Sequence, residues 1–443
     1  MTPLDFSRWY DFDERGLRGG YFPSSALEVQ EGERVGVVLL NLGGPRSLDE
    51  VEAFLYNLLM DPALLDLPIR GGLRHWGSKV LASYRAESVR EEYELIGGSS
   101  PLNHLTQEQA ESLETYLNDQ YGEPTGVDFQ TYVAMRYGHP CSEEAAAQME
   151  ADGVDRVVLL PMYPQYSMTT SGSSLAYWKA LDEAGEIPSW PTTAAYEYAA
   201  NPKYVQALSE LIDEGLQRFQ RERRPDVQLL FSAQGMPLRS YRHRQDPYCC
   251  LVHATVRQVM EQRGHDRPYH TAFQNRIGFR EGLPPTTPDV IERLADKSDD
   301  QSLLMVPLPF VTDHLQTSYG LDIKLREWAE RVGIRHYEVT PGLNTHPLFI
   351  EALSEVTLAQ LDLPVDLNQL RIGGDGLAQD YPLRPVEELP QHNNHESERC
   401  PSCNEPLRAR RWTGRDDLPE SEMLRSGSEE DSATPPSASA PTS

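Results

Sequence analysis

Two stretches of this chain combine side chains suited to a flat ligand with polar edges. Arg136-Tyr-Gly-His-Pro140 sets a cation beside a phenol directly after an apolar run. Pro161-Met-Tyr-Pro-Gln-Tyr-Ser-Met-Thr-Thr-Ser-Gly-Ser-Ser174 is dense in tyrosines and hydroxyl residues. Aromatic faces of this kind stack on a ring while hydroxyls bond its polar substituents. The same composition also suits a turn followed by a helix cap, and the residues alone leave both uses open. A third chemical signal lies near the end of the chain. His392-Asn-Asn-His395 and Cys400-Pro-Ser-Cys403 together offer H-x2-H-x4-C-x2-C, four ligands of the kind tetrahedral zinc accepts, although the two pairs are closely spaced.

The elements that must position these residues are read from the apolar runs. Val35 to Leu40 is a continuous apolar run of strand length, followed at once by a Gly43-Gly44-Pro45 turn. Ser47-Leu-Asp-Glu50 has the pattern of a capping box opening an amphipathic helix through Leu59. Similar runs recur at Tyr132 to Met135, Val157 to Leu160, Leu229 to Phe231, Tyr269 to Phe273 and Leu303 to Leu308, each followed by a turn and helix-like sequence. That alternation predicts an α/β fold of parallel sheets, organised as two doubly wound domains facing each other across a cleft. Ligands of such sheets bind beyond the carboxyl ends of the strands, which is where both chemical stretches fall.

The expected organisation is an N-terminal extension over 1–34, packed on the outside of a first domain over 35–195, and a second domain over 196–363. A C-terminal extension over 364–413 carries the Cys-x-x-Cys pair. Residues 414–443 are Ser, Pro, Glu and Asp with almost no apolar content, a composition that cannot offset the entropy of ordering and predicts disorder.

The chain has 443 residues, with 39% hydrophobic and 24% charged, ordinary globular material with no apolar run long enough to span a bilayer. A formal net charge of −28 disfavours the phosphate contacts that nucleic-acid binding depends on. Five cysteines in so long a chain are no disulfide framework, and Asp5, Arg8, Asp11, Asp13 and Glu14 interrupt any signal-peptide core. A reducing, cytoplasmic setting is expected.

Seven segments taken together resemble the ferrochelatase family in order and spacing. They are Leu39-Leu-Asn-Leu-Gly-Gly-Pro45, Ile96-Gly-Gly-Ser-Ser-Pro101, the Arg136 and Pro161 stretches, Phe231-Ser-Ala-Gln-Gly-Met-Pro237, Asp246-Pro-Tyr248 and Asp313-His-Leu-Gln-Thr317. The resemblance covers roughly 35–363. It implies two Rossmann-like, chelatase-type domains, a porphyrin held between them, and insertion of ferrous iron as substrate, with no resident cofactor required. It implies a lining of Leu42, Arg136, Tyr137, Tyr166, Ser167 and Gly282, and catalytic positions at residues 234, 313, 314 and 316.

Metal insertion removes two pyrrole protons as the ion arrives, so it needs a base and oxygen or nitrogen ligands. The family's histidine position is Gln234 here, and its catalytic glutamate position is Gln316. An amide neither titrates usefully nor takes a pyrrole proton. Residues 316, 320 and 324 share one helical face, where the family implies continuing acids and this chain has Gln316, Gly320 and Lys324. Gly282 stands where the family places a tryptophan. The tail pair Cys400 and Cys403 also resembles part of a [2Fe-2S] site, which needs four thiolates. The other two positions are Arg408 and Met168, so no cluster is expected.

Two readings follow from different classes. One is a tetrapyrrole-binding protein, for porphyrin or haem, with iron insertion lost or strongly impaired. The other is a working ferrochelatase using His314, Asp313 or His243 in place of the missing pair. A cleft turned to another flat ligand, or to regulating an active paralogue, is a weaker third. Pro62 to Trp76, with Arg70 and Arg74, resembles the family's apolar lip through which porphyrin enters and which touches a membrane; a buried connection between helices fits the same residues.

Overall fold

The computed structural model describes residues 1–10, 21–22, 25–65, 69, 71–235, 246–274, 283, 285–297 and 301–364. The apolar runs form strands of two four-stranded sheets, every pairing parallel. A two-residue strand β1 (Leu27–Glu28) precedes them. The first sheet contains β2 (Arg34–Asn41), β3 (Asp128–Met135), β4 (Arg156–Pro161) and β5 (Thr192–Ala194), in the order β3-β2-β4-β5. The second contains β6 (Val227–Gln234), β7 (Tyr269–Gln274), β8 (Ser302–Pro307) and β9 (His336–Val339), in the order β7-β6-β8-β9. The central strands β2 and β6 are buried along nearly their whole length, as expected where helices cover both faces of a parallel sheet.

Helices separate the strands and turn the chain back for each parallel pairing. Helix Pro347–Leu358, late in the chain, packs against Pro101–Leu117 from the first half and Pro202–Gln217 from the second. One apolar cluster accordingly runs through both halves, joining Leu39 and Phe129 to Phe231 and Phe349. The strand β10 (Leu361–Asp362) then pairs with β1, with Leu27 N–H donating to the Gln360 carbonyl at 2.8 Å.

Beside this apolar joint lies a buried polar one. Asn41, the last residue of β2, donates to Thr106 Oγ1 at 2.9 Å, and Thr312 donates to Gln109 Oε1 at 2.8 Å. Gln109 Nε2 in turn donates to the Asn344 carbonyl at 2.9 Å. Side chains from both halves therefore satisfy one another out of water, which fixes the register of the two sheets more narrowly than apolar contact does.

One local expectation is corrected. Ser47 makes no capping hydrogen bond; Leu48–Glu50 is a 3₁₀ turn leading into helix Val51–Met60. The Glu50 carboxylate instead takes the Arg46 guanidinium at 2.6 Å and the Arg46 backbone N–H at 2.9 Å, a charge-assisted pairing stronger than a neutral serine contact. Of the Pro62 to Trp76 segment, Gly71 to Trp76 are helical, as the first turns of helix Gly71–Glu94. Arg74 is buried and donates to the carbonyls of Leu59, Met60, Asp61 and Leu65, closing the frayed end of the preceding helix. The N-terminal residues form a helix that packs on helices Val51–Met60, Gly71–Glu94 and Ser171–Ala184. Thr2 and Asp5 form a reciprocal capping box that starts helix Pro3–Trp9, and Phe6 is 1% exposed within the core cluster that also holds Val38 and Leu40.

Candidate functional site

The carboxyl ends of β2 and β3 lead into the turns that carry Leu42, Arg136 and Tyr137. Gly43 has φ +81°, and a Cβ there would meet the Gly138 backbone at 3.0 Å, so the two turns touch only because both are glycine. Tyr137 N–H donates to the Leu42 carbonyl at 3.0 Å and locks them together.

Arg136 and Tyr137 both end on Asp61. The Asp61 carboxylate accepts Arg136 Nη2 at 2.9 Å, Tyr137 OH at 2.6 Å, the Ser173 hydroxyl and the Ala63 backbone N–H at 2.7 Å. Its side chain is 0% exposed, so this is a buried charge pair whose stability depends on that full set of donors. Arg136 lies against two rings that themselves meet edge to face at 5.2 Å, 4.6 Å from the Phe6 centroid and 4.2 Å from that of Tyr177. Burial first, then the Asp61 charge, push the Tyr137 phenol well above its ordinary pKa. Asp61 escaped the sequence reading. Its signal was an acid inside the apolar run Leu58-Leu-Met-Asp-Pro-Ala-Leu, a placement that costs several kcal/mol unless partners satisfy it.

The hydroxyl-rich stretch after β4 folds as a tight turn into helix Ser171–Ala184. Ser167 Oγ and Met168 N–H both donate to Asp246 Oδ2 at 2.9 Å, and Tyr248 N–H donates to Asp246 Oδ1 at 3.0 Å. An acid of the second half thus holds the turn of the first. Tyr166 is fully buried above this clamp, its phenol raised by burial and then by Asp246, Tyr21, Tyr196 and Tyr10. Met168 is buried in the same apolar cluster and offers a thioether where a cluster thiolate is implied.

The other implied positions lie at the carboxyl end of the second sheet and in the helix after β8. Gln234 ends β6 and pairs in register with Gln274, the last residue of β7. Gln274 Nε2 donates to Ser232 Oγ at 2.8 Å, and Gln316 Nε2 donates to Gln274 Oε1. Gln234 Oε1 is buried with no hydrogen-bond partner among the described residues. Residues Gln316–Lys324 are π-helical, a wider turn than the α-helix the spacing suggests. Gln316 and Gly320 still adjoin, since a Cβ on Gly320 would lie 3.4 Å from Gln316 Cγ.

Asp313 and His314 point to different tasks. The Asp313 carboxylate accepts Gly342 N–H at 2.9 Å and Asn344 Nδ2 at 2.8 Å, while its own N–H donates to Asn344 Oδ1 at 3.0 Å. It anchors the loop after β9. His314 is buried, its ring 4.1 Å from that of Phe310, and neither ring nitrogen has a partner of ordinary geometry among the described residues. Burial pushes its pKa down to about 4, outweighing the nearby Asp313 carboxylate and Thr312 backbone.

Gly282, His243, His392, His395, Cys400 and Cys403 lie outside the described residues. Within the described residues His139, Cys141 and Glu144 bring three donor atoms within 4.8 Å of one another. Glu144 is already engaged, however, taking Cys141 N–H and His139 Nδ1 at 2.8 Å as the cap of helix Ser142–Asp152.

A family model described as Ferrochelatase matches residues 34–361. The ferrochelatase of Synechococcus elongatus is 41% identical over 344 residues, covering 75% of this chain and 84% of that protein. That of a Cyanothece species is 40% identical over 336 residues, again covering 75% and 84%. Among solved structures, SirB from Bacillus subtilis with Fe3+ aligns with a TM-score of 0.43 at 10% identity, covering 74% of this chain and 95% of that one.

Proposed function

Because the chain belongs to the ferrochelatase family of haem biosynthesis, we propose that its cleft holds a tetrapyrrole while its capacity to insert ferrous iron is lost or strongly impaired. The observation that carries this reading is the amide relay from Gln316 through Gln274 to Ser232, lying beside the unpartnered Gln234 carbonyl. Iron insertion must dispose of two pyrrole protons, and every group in that relay is neutral and remains so across the physiological range. Amide carbonyls are also weak neutral ligands for a divalent ion compared with carboxylate or imidazole.

One observation favours the competing reading, an active enzyme with a substitute base. His314 has two nitrogens without ordinary partners and is uncharged at neutral pH. A conjugate acid with a pKa of about 4 nevertheless gives little driving force for taking a pyrrole proton. Asp313, the other candidate, has both carboxylate oxygens committed to Gly342 and Asn344.

The test is anaerobic incubation with ferrous iron and protoporphyrin or coproporphyrin, following metalation optically beside an active ferrochelatase. Turnover at the rate of that enzyme overturns the impaired reading. A porphyrin spectral shift without metalation supports it.

Peripheral membrane contact belongs to the same proposal. No helix among the described residues is long and apolar enough to cross a membrane. Helix Gly71–Glu94 nevertheless presents Leu73, Trp76, Val80 and Tyr84 to solvent at helical spacing, with Trp76 65% and Tyr84 80% exposed.

A further inference from the structure

We infer that His139, Cys141 and Glu144, where the turn after β3 meets helix Ser142–Asp152, form a binding site for one divalent transition-metal ion of the zinc class. None of the three belongs to the amide relay or to the implied tetrapyrrole lining, so the site stands or falls apart from the tetrapyrrole reading.

One donor atom from each residue lies within 4.8 Å of the other two: an imidazole nitrogen, a thiol sulfur and a carboxylate oxygen. Zinc-class ions accept all three kinds of donor at about 2.0–2.3 Å, so ligand atoms around a tetrahedral ion stand roughly 3.3–3.6 Å apart. The set therefore has to close by about an ångström, on ligand bond lengths of that size. The His139 and Glu144 side chains are 50% and 51% exposed, which leaves them room to make that adjustment. The capping bonds of Glu144 do not exhaust it, since Cys141 N–H and His139 Nδ1 both reach Oε2 and leave Oε1 for an ion. An ion on His139 Nδ1 takes the place of the ring proton there, exchanging one hydrogen bond for a metal bond.

The backbone around the cluster suits the ionised thiol that such an ion needs. Cys141 is the N-cap of helix Ser142–Asp152, and its sulfur accepts the Glu144 backbone N–H. Backbone donors at a helix N-terminus stabilise a thiolate, and thiolate and carboxylate together then hold the cation. The neighbouring Glu143 is engaged elsewhere, its Oε1 taking the Tyr177 hydroxyl at 2.8 Å, so the fourth tetrahedral position goes to water. Zinc stands above ferrous iron in the order of divalent affinities, which keeps the site distinct from one for the family's substrate metal. Met135 N–H donates to the Pro140 carbonyl at 2.7 Å, so the turn closes back on the end of β3. An ion on residues 139, 141 and 144 clips that turn, which carries Arg136 and Tyr137, to the helix behind it.

Cobalt(II) is the probe, because a thiolate ligand gives it a sulfur-to-metal charge-transfer band in the near ultraviolet. The experiment uses full-length protein carrying Cys400→Ser and Cys403→Ser, which removes the tail thiols as another source of the band, after treatment with a chelator. Stoichiometric cobalt(II) is expected to produce the band, and zinc(II) to abolish it by displacement. Adding Cys141→Ser is expected to remove the band. It should also weaken zinc binding about tenfold or more, the least that losing even an outer-shell partner costs, read by competition with a chromogenic chelator. Serine is a favoured N-cap, so this variant keeps the helix start and folds as the parent does. His139→Ala is expected to weaken zinc binding by a similar factor. A protein without tail thiols that shows no band overturns the site, as does a band that survives Cys141→Ser. Zinc affinity unchanged by His139→Ala overturns it equally.

Discussion

Gln316 donates a side-chain hydrogen bond to Gln274, so the position where an ionisable residue is implied is closed by a pair of amides. A carboxylate at 316 would face the Gln274 amide, which can turn its N–H toward it, while an imidazole at 234 would stand where a buried carbonyl now lacks a partner. Gln234→His with Gln316→Glu is therefore expected to raise anaerobic iron insertion by about 10²-fold or more over the parent, the low end of what general acid–base groups contribute. The gain should grow with pH through the titration of the new histidine. A double variant no faster than the parent means that this pair is not the main defect.

Asp61 binds four donors in the dark of the core, and its replacement tests whether the site is framed by that pair. Asp61→Asn leaves the buried Arg136 guanidinium without a counter-charge, and breaking a buried pair in this way costs about 3–5 kcal/mol. Urea unfolding should register that loss. Adding Arg136→Met should recover part of it, since the two changes are coupled through one contact. A loss under about 1 kcal/mol for the single variant, the surface-pair scale, would count against the pairing.

How much of this is legible in the sequence depends on where each residue finds its partners. Val35 to Leu40 announces β2 because a parallel strand covered on both faces is apolar throughout. The edge strands β5 and β9 carry no such signal: Thr192–Ala194 is three residues long, and His336–Val339 alternates polar with apolar and is preceded by charge. Phe6 and Tyr10 show no period of their own because Phe6 packs on Arg136 and Tyr177, far along the chain. Asp61 is 75 residues from Arg136 and 112 from Ser173. The positions of Gln234, Gln316, Asp313 and His314 were legible as motifs, but their roles were not. That Asp313 anchors a loop while His314 sits apart beside Phe310 is settled by Gly342 and Asn344, which no local pattern connects to them.

Gly342 is the narrow point of that anchor. A Cβ there would lie 3.1 Å from both Asp313 N and the Val311 carbonyl, and neither backbone atom can swing away as a side chain could. Gly342→Ala should therefore destabilise the fold by about 1–3 kcal/mol, the usual range for overpacking. Gly71, whose added Cβ meets nothing within 4 Å but whose φ is +59°, gives a contrasting variant limited to backbone strain. Thermal unfolding of both compares the two costs, and an unchanged midpoint for Gly342→Ala would argue against the tight approach.

The exposed face of helix Gly71–Glu94 makes a separate prediction. If Leu73, Trp76, Val80 and Tyr84 insert into a lipid surface, Trp76→Glu with Val80→Glu should abolish flotation with phosphatidylglycerol-containing vesicles while leaving the fold intact, because these side chains are already solvated. Equal flotation of parent and variant would remove this helix from membrane contact.

Two buried imidazoles make stability depend on pH in a direction opposite to a salt-bridged histidine. His314 and His270 are both pushed down to about 4, each chiefly by burial, with Arg293 and Lys297 adding to the effect on His270. In the unfolded chain they return to about 6.5. Between those values the unfolded chain binds more protons, so stability is fully present above about pH 6.5 and is lost as pH falls toward 4. From pH 7 to pH 5 the loss should be about 2 kcal/mol per ring, read by urea unfolding at the two pH values. His314→Phe, which keeps an apolar ring beside Phe310, should remove about half of this dependence. A parent and variant with the same pH dependence would mean that the His314 ring is protonated or solvated in the folded chain. It would then regain the ordinary basicity that a substitute for the missing catalytic histidine requires, and iron insertion by the parent would have to be reconsidered on that ground.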